Sequence, residues 1–144
     1  MSSTTSCRFL TTAQVKRLYT RCIAKLPPTQ PAMLDSAINS PVNHQHYGQS
    51  DLHQLAGVLS EKIILDHPYQ DGNKRTALYA ADMFLKINGY QIQTEPAGKN
   101  DPELDEGLAN AHVLTVTSQW TSENLGNHYK SITRPLAKVG KEGH

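Results

Sequence analysis

The 144-residue sequence predicts an all-α domain, a compact bundle of six helices with a short loop or hairpin between the second and third. Two observations predict it. Apolar residues recur at helical spacing in successive windows, most clearly over residues 11–26, 50–66 and 73–89. The links between these windows are short and carry proline or glycine, which implies antiparallel neighbours packed side by side.

In chain order, residues 1–8 are Ser/Thr-rich and are expected to form a flexible lead. "TTAQVKRLYTRCIAKL" follows, with Thr11 or Thr12 as cap and Val15, Leu18, Tyr19, Cys22, Ile23 and Leu26 on one face. "PPTQP" ends it, because proline cannot donate to the helix ladder. "AMLDSAINS" predicts a short second helix that stops before Pro41. "PVNHQHYGQ" has no helical period and predicts a surface loop or hairpin. In "SDLHQLAGVLSEKIILD", Ser50 is a candidate cap and Leu52, Leu55, Ala56, Leu59 and Ile63 form a stripe. In "NKRTALYAADMFLKING", Ala77, Leu78, Ala81, Phe84 and Leu85 share a face, and Asn88-Gly89 is a stop signal. "YQIQTEP" predicts a short extended piece, residues 101–120 a helix begun at Pro102, and 121–132 a last short helix. No internal repeat or second domain is visible, so one domain is expected over 9–134 with a flexible tail over 135–144.

Composition excludes several classes. The formal net charge is +1, which gives no bulk electrostatic case for nucleic acid or membrane as a partner. No apolar run is long enough to span a bilayer, and the N-terminus lacks the pattern of a secretory signal. A cytoplasmic protein is the expectation. Cys7 and Cys22 make no disulfide framework and read as ordinary thiols.

The chemistry gathers in "HPYQDGNKR", residues 67–75. Pro68 and Gly72 predict a tight loop between two helices. The N–H groups near Gly72, Asn73 and Lys74 then open the second helix as unsatisfied donors at the positive end of its dipole, which suits an anion. Lys74 and Arg75 add full charges, arginine as a fork and lysine as a point charge. Asp71 is the loop's one carboxylate, enough for Mg²⁺ if substrate phosphates complete its shell. His67 leaves the preceding helix, and histidine is the side-chain type most often used as a general base. Each residue also has a plainer reading. His67 could close a helix, Asp71 could cap one, and the cations could be a solvated face. Their joint occurrence points to a phosphate or nucleotide site.

This segment resembles the signature of the Fic/Doc (Fido) family: histidine, usually Pro-Phe, an acid, Gly or Ala, Asn, a variable residue and Arg. The resemblance extends over about residues 9–132, through "FLTTAQVKRLY", "LDSAINSP", "TALYAADMFLKINGY" and "LANAHVLTVTSQWTSENL". It implies a Fido-type bundle whose loop at residues 43–48 is a flap that docks the target by strand addition, through Asn43, His44, Gln45, His46, Tyr47 and Gly48. His44 and His46 lack a third nearby ligand, which argues against a metal there.

Two positions sort the branch. AMP-transferring Fic enzymes usually carry glycine after the Asn and a second arginine three places beyond the first. Lys74 and Leu78 stand there, and "DGNKRTAL" is similar to the death-on-curing (Doc) branch. That resemblance implies a kinase moving a phosphate from ATP to a Ser or Thr hydroxyl of a target protein, with a translation factor as family precedent. His67 would be the base, Asp71 the Mg²⁺ ligand, Gly72 and Asn73 the anion-binding turn, and Lys74 and Arg75 the phosphate grip. A smaller departure is Tyr69 for the usual phenylalanine. None of Glu106, Glu123 and Glu142 carries the Ser/Thr four residues before it that an inhibitory helix of the family has. The implied restraint is therefore a separate antitoxin protein. The alternatives are transfer of AMP or another nucleotidyl group, and a nucleotide-binding module without turnover.

Overall fold

The computed structural model describes residues 7–92 and 120–135. These form five helices, α1 (Thr12–Cys22), α2 (Pro31–His46), α3 (Leu52–Asp66), α4 (Asn73–Ile87) and α5 (Ser122–Ile132). Two three-residue strands, β1 (Tyr90–Ile92) and β2 (Thr133–Pro135), pair antiparallel with Gln91 opposite Arg134. The predicted helix at 101–120 falls, but for Trp120, outside the described residues, so the expected count of six helices is not reached within them.

Helix α3 is the centre. Its buried residues run round the whole helix, from His53 through Leu55–Ser60 to Ile63 and Ile64, because α2, α4 and α5 all pack on it. Leu55, Leu59, Ile63 and Ile64 are fully buried with Leu34 of α2, Phe84 and Leu85 of α4, and Leu125 and Tyr129 of α5. Each such side chain contributes about 1.5–3 kcal/mol by leaving water. One polar group ties three helices: Ser60 Oγ donates to the Ala77 carbonyl (3.0 Å) and lies 2.8 Å from the Tyr129 hydroxyl. Burial pushes the Tyr129 phenol upward, so it stays protonated and able to donate.

Helices α3 and α5 meet at two glycines. A Cβ on Gly57 would lie 2.4 Å from the Ser122 carbonyl oxygen and 2.7 Å from the Gly126 nitrogen. On Gly126 it would lie 2.9 Å from the Gln54 Cα. Backbone touches backbone, which only glycine permits.

The ends show where local signals held. Thr11 caps α1 in a full capping box with Gln14, as its T-x-x-Q spacing permits. Helix α3 is capped by Asp51, whose Oδ1 accepts from His53 N (2.8 Å) and Gln54 N (3.1 Å), one residue beyond the expected Ser50. Helix α4 ends at Asn88, with Gly89 at φ 98°. The Asn88 side chain holds both backbone groups of Arg8, so the chain is pinned there.

Three expectations are corrected. Helix α1 stops at Cys22 rather than Leu26, because Leu26 precedes a proline and is biased toward extended backbone. Helix α2 does not stop before Pro41 but runs to His46. Pro41 is buried in the packed face, and that burial offsets the one lost ladder bond. Consequently the expected flap is not a hairpin or loop: Asn43, His44, Gln45 and His46 are helical and only Tyr47 and Gly48 turn. In this conformation these residues offer no strand edge. The third concerns strand content: the extended piece expected from Tyr90 is present as β1, but its partner β2 was not expected.

The ladder is locked to α3 by His53, whose Nε2 lies 2.7 Å from the Thr133 hydroxyl and whose ring meets Tyr90 edge-on at 5.0 Å. Burial lowers the pKa of His53, and likewise of His128, below the usual 6.5. The unfolded chain therefore takes up protons first as pH falls. Stability from these groups is complete above the unfolded pKa and is lost through the window below it, levelling beneath the folded values. Urea unfolding should show a free energy that falls from pH 7 to pH 5, with a flatter slope in His53→Asn.

No helix among the described residues is long and apolar enough to cross a membrane.

Candidate active site

The loop between α3 and α4 carries the motif, and its shape is imposed from both ends. Helix α3 closes on His67, which adopts the left-handed conformation (φ 48°, ψ 58°), the only non-glycine with positive φ among the described residues. For an L-residue this costs about 1–2 kcal/mol. The imidazole is left exposed. Helix α4 opens on Gly72, also left-handed (φ 79°). A Cβ there would sit 2.9 Å from Ile23 Cγ2, so glycine is required both by conformation and by space.

Asn73 stitches the loop. Its Oδ1 accepts from Tyr69 N (3.0 Å) and its Nδ2 donates to the Tyr69 carbonyl (2.7 Å). The same Nδ2 lies 3.5 Å from His67 Nδ1, too long to fix one tautomer of the ring. Asp71 is exposed; its Oδ1 accepts from Gly72 N (2.8 Å), and its second oxygen has no partner among the described residues. Asp71 is therefore not the cap of α4, and Gly72 has no side chain to be one.

That leaves the start of α4 open. The first hydrogen bond of the helix runs from Thr76 N to the Gly72 carbonyl (2.8 Å), and no side chain caps the preceding N–H groups of Asn73, Lys74 and Arg75. The first turn holds no acid and two cations. By contrast α1, α3 and α5 each have a side-chain cap. An exposed dipole end contributes only about 0.3–1 kcal/mol toward an anion, so Lys74 supplies most of the charge. Lys74 is exposed and makes no ion pair or hydrogen bond with a described residue. Arg75 is exposed, and its Nη2 donates to the Cys22 carbonyl (3.1 Å) at the C-terminus of α1.

His67, Asp71, Gly72, Asn73 and Lys74 thus share one loop and one helix end. Residues 43–48 make no hydrogen bond or ion pair to it among the described residues.

The supports of the loop carry no motif signal. Gln30 donates its side-chain N–H to the His67 carbonyl (3.0 Å) and its backbone N–H to the Pro68 carbonyl (3.0 Å). Tyr19 donates its hydroxyl to the Asp71 carbonyl (3.0 Å) and stacks on Tyr69 with centroids 3.6 Å apart and planes 4° from parallel. Tyr19 was legible as an apolar-face residue of α1, but nothing in its spacing announces the bond to Asp71.

Tyr69 is 2 % exposed, and its hydroxyl has no hydrogen-bond partner among the described residues. Burial, with a contribution from Tyr19, pushes its phenol up to about 12. A buried hydroxyl without a partner costs about 1–3 kcal/mol. Tyr69→Phe should therefore raise the unfolding free energy by about 1 kcal/mol in urea titration.

A family model described as the Fic/DOC family matches residues 9–85, more than half of the chain. That span runs from the start of α1 through the motif loop and most of α4. No curated protein matches the chain. Family members are typically transferases that move AMP or a phosphate, which accords with a base, an acid and an open, positively charged helix end in one loop. By motif, by helical architecture and by this match, the chain belongs to the Fic/DOC family.

Proposed function

We propose that this protein is a Doc-like kinase that transfers the γ-phosphoryl group of ATP to a Ser or Thr hydroxyl of a target protein. The observation that carries the reading is the uncapped start of α4 bearing Lys74, with His67 held beside it in a strained turn. His67 takes the proton of the attacking hydroxyl. A bond forms between that oxygen and the γ-phosphorus, the bond from phosphorus to the β–γ bridging oxygen breaks, and ADP leaves. The N–H groups of α4 and Lys74 face the phosphate charge, and Asn73 keeps the loop in register. A general base supplies about 10²–10⁴-fold, and positioning and charge stabilisation supply the rest.

Asp71 fits a Mg²⁺ ion, since its carboxylate is exposed with one oxygen unused within the described residues. One carboxylate suffices only where substrate phosphates complete the shell, and no three-residue cluster of metal-ligating side chains occurs among the described residues. When bound, the ion would neutralise charge on the donor's phosphates.

Phosphate rather than AMP transfer is supported by Lys74 and Leu78, which replace the glycine and second arginine of the AMP-transferring pattern. A target with a Ser/Thr hydroxyl, such as a translation factor, and a separate antitoxin partner follow from the same branch.

Incubation in a cell extract with ATP labelled at either the γ or the α phosphate tests the reading. Label reaching protein only from the γ position supports it. Label retained from the α position would replace it with nucleotidyl transfer.

A further inference from the structure

We propose that the groove between α1 and the segment after it is a binding site for a small anionic ligand, an oxyanion carried on an apolar body. The groove has a volume of about 390 Å³ and is lined by Lys16, Lys25, Leu26, Pro27, Pro28 and Tyr69, with Thr20 beside Lys16. That volume suits a small molecule.

Three observations set the chemistry. The first is the Tyr69 hydroxyl, buried, in a side chain that lines the groove, and without a hydrogen-bond partner among the described residues. A phenyl ring would fill the same space and stack on Tyr19 without the cost of a stranded donor. A ligand oxygen is the partner this hydroxyl lacks. The second is charge. Lys16 and Lys25 are exposed, neither forms an ion pair with a described residue, and no carboxylate lines the groove. Helix α1 contains no acid, and the adjoining depression of about 460 Å³ adds Arg17 and Arg21 around the shared Lys16 and Thr20. Ammonium groups only donate, so the ligand must bring acceptors and negative charge. The third is the wall formed by Leu26, 55 % exposed, with Pro27 and Pro28. Proline has no N–H, so this side recognises apolar surface and not polar groups.

The groove's lining includes none of His67, Asp71, Gly72, Asn73 or Lys74. It is independent of the transfer reaction and would stand if the chain transferred nothing.

The test uses the full chain labelled at tyrosine ¹³Cζ, with the Tyr69 resonance identified by its loss in Tyr69→Phe. Phenyl phosphate is titrated at pH 7 and low salt, with benzoate as a second arm. A saturable shift of the Tyr69 signal is expected with one or both; which of them gives it tells whether phosphate or carboxylate is the preferred head. Lys16→Ala combined with Lys25→Ala should weaken binding about tenfold or more, as should Tyr69→Phe observed by calorimetry. Phenol, and inorganic phosphate alone, should each bind about tenfold more weakly or worse. A Tyr69 signal that neither compound moves to saturation overturns the proposal. So does equal binding of phenol, or affinity untouched by the lysine substitutions. Loss of binding in Lys74→Ala instead would put the ligand at the start of α4 and overturn it too.

Discussion

His67→Ala should reduce group transfer about 10²–10⁴-fold while leaving the protein folded. The imidazole is exposed and buries nothing, so its removal forms no cavity. What the protein loses is the base. Conformation gives the sharper version of this experiment. His67 occupies a left-handed position at the end of a helix, where glycine is the usual residue and histidine is strained. His67→Gly should relieve that strain and raise stability by about 1 kcal/mol while abolishing transfer as His67→Ala does. Rate measurements beside urea titration of the same variants check both halves. Transfer persisting in either variant would show that another group takes the proton. A less stable His67→Gly would show that the left-handed turn is held at no cost.

Gly57→Ala should destabilise by about 1–3 kcal/mol or more, through a different cause. The added methyl would meet the Ser122 carbonyl oxygen at 2.4 Å and the Gly126 nitrogen at 2.7 Å. These are backbone atoms, and they can yield only if α5 moves away from α3. That movement would loosen Leu125 and Tyr129, two of the largest fully buried side chains. Gly126→Ala should act in the same way, since its methyl would meet the Gln54 backbone and side chain at 2.9 Å. The double variant should cost less than the sum of the two, because the helices need separate only once. Urea midpoints of the two single variants and the double variant check this.

The helices were legible where a stripe and an end signal coincided, as in α1 with Thr11 or α4 with Asn88-Gly89. They were misread where packing overrode a local rule. Pro41 reads as a stop in sequence, yet its burial carries α2 on to His46 and removes the hairpin expected at 43–48. Ser50 and Asp51 are adjacent residues of equal capping chemistry, and only geometry chooses between them. The β2 strand depends on Tyr90–Ile92 some forty residues earlier, and no local pattern announces it. The candidate site was legible for one reason: its chemical groups are contiguous. Its supports were not. Gln30 sits in a proline-rich stop and signals nothing until its amide is seen on the His67 carbonyl. Arg75 reads as a phosphate fork, and nothing in the sequence announces its bond to the Cys22 carbonyl at the end of α1.

Those supports decide how far the motif could travel. Gln30 and Thr29 hold the carbonyls at its start, Tyr19 the carbonyl before its glycine, Ile23 the space beside that glycine, and Cys22 the arginine at its end. All of them lie in the first helix and the linker after it. "HPYQDGNKR" grafted into another helical hairpin would bring its side chains and leave its shape behind. The smallest portable unit therefore reaches back to Thr11.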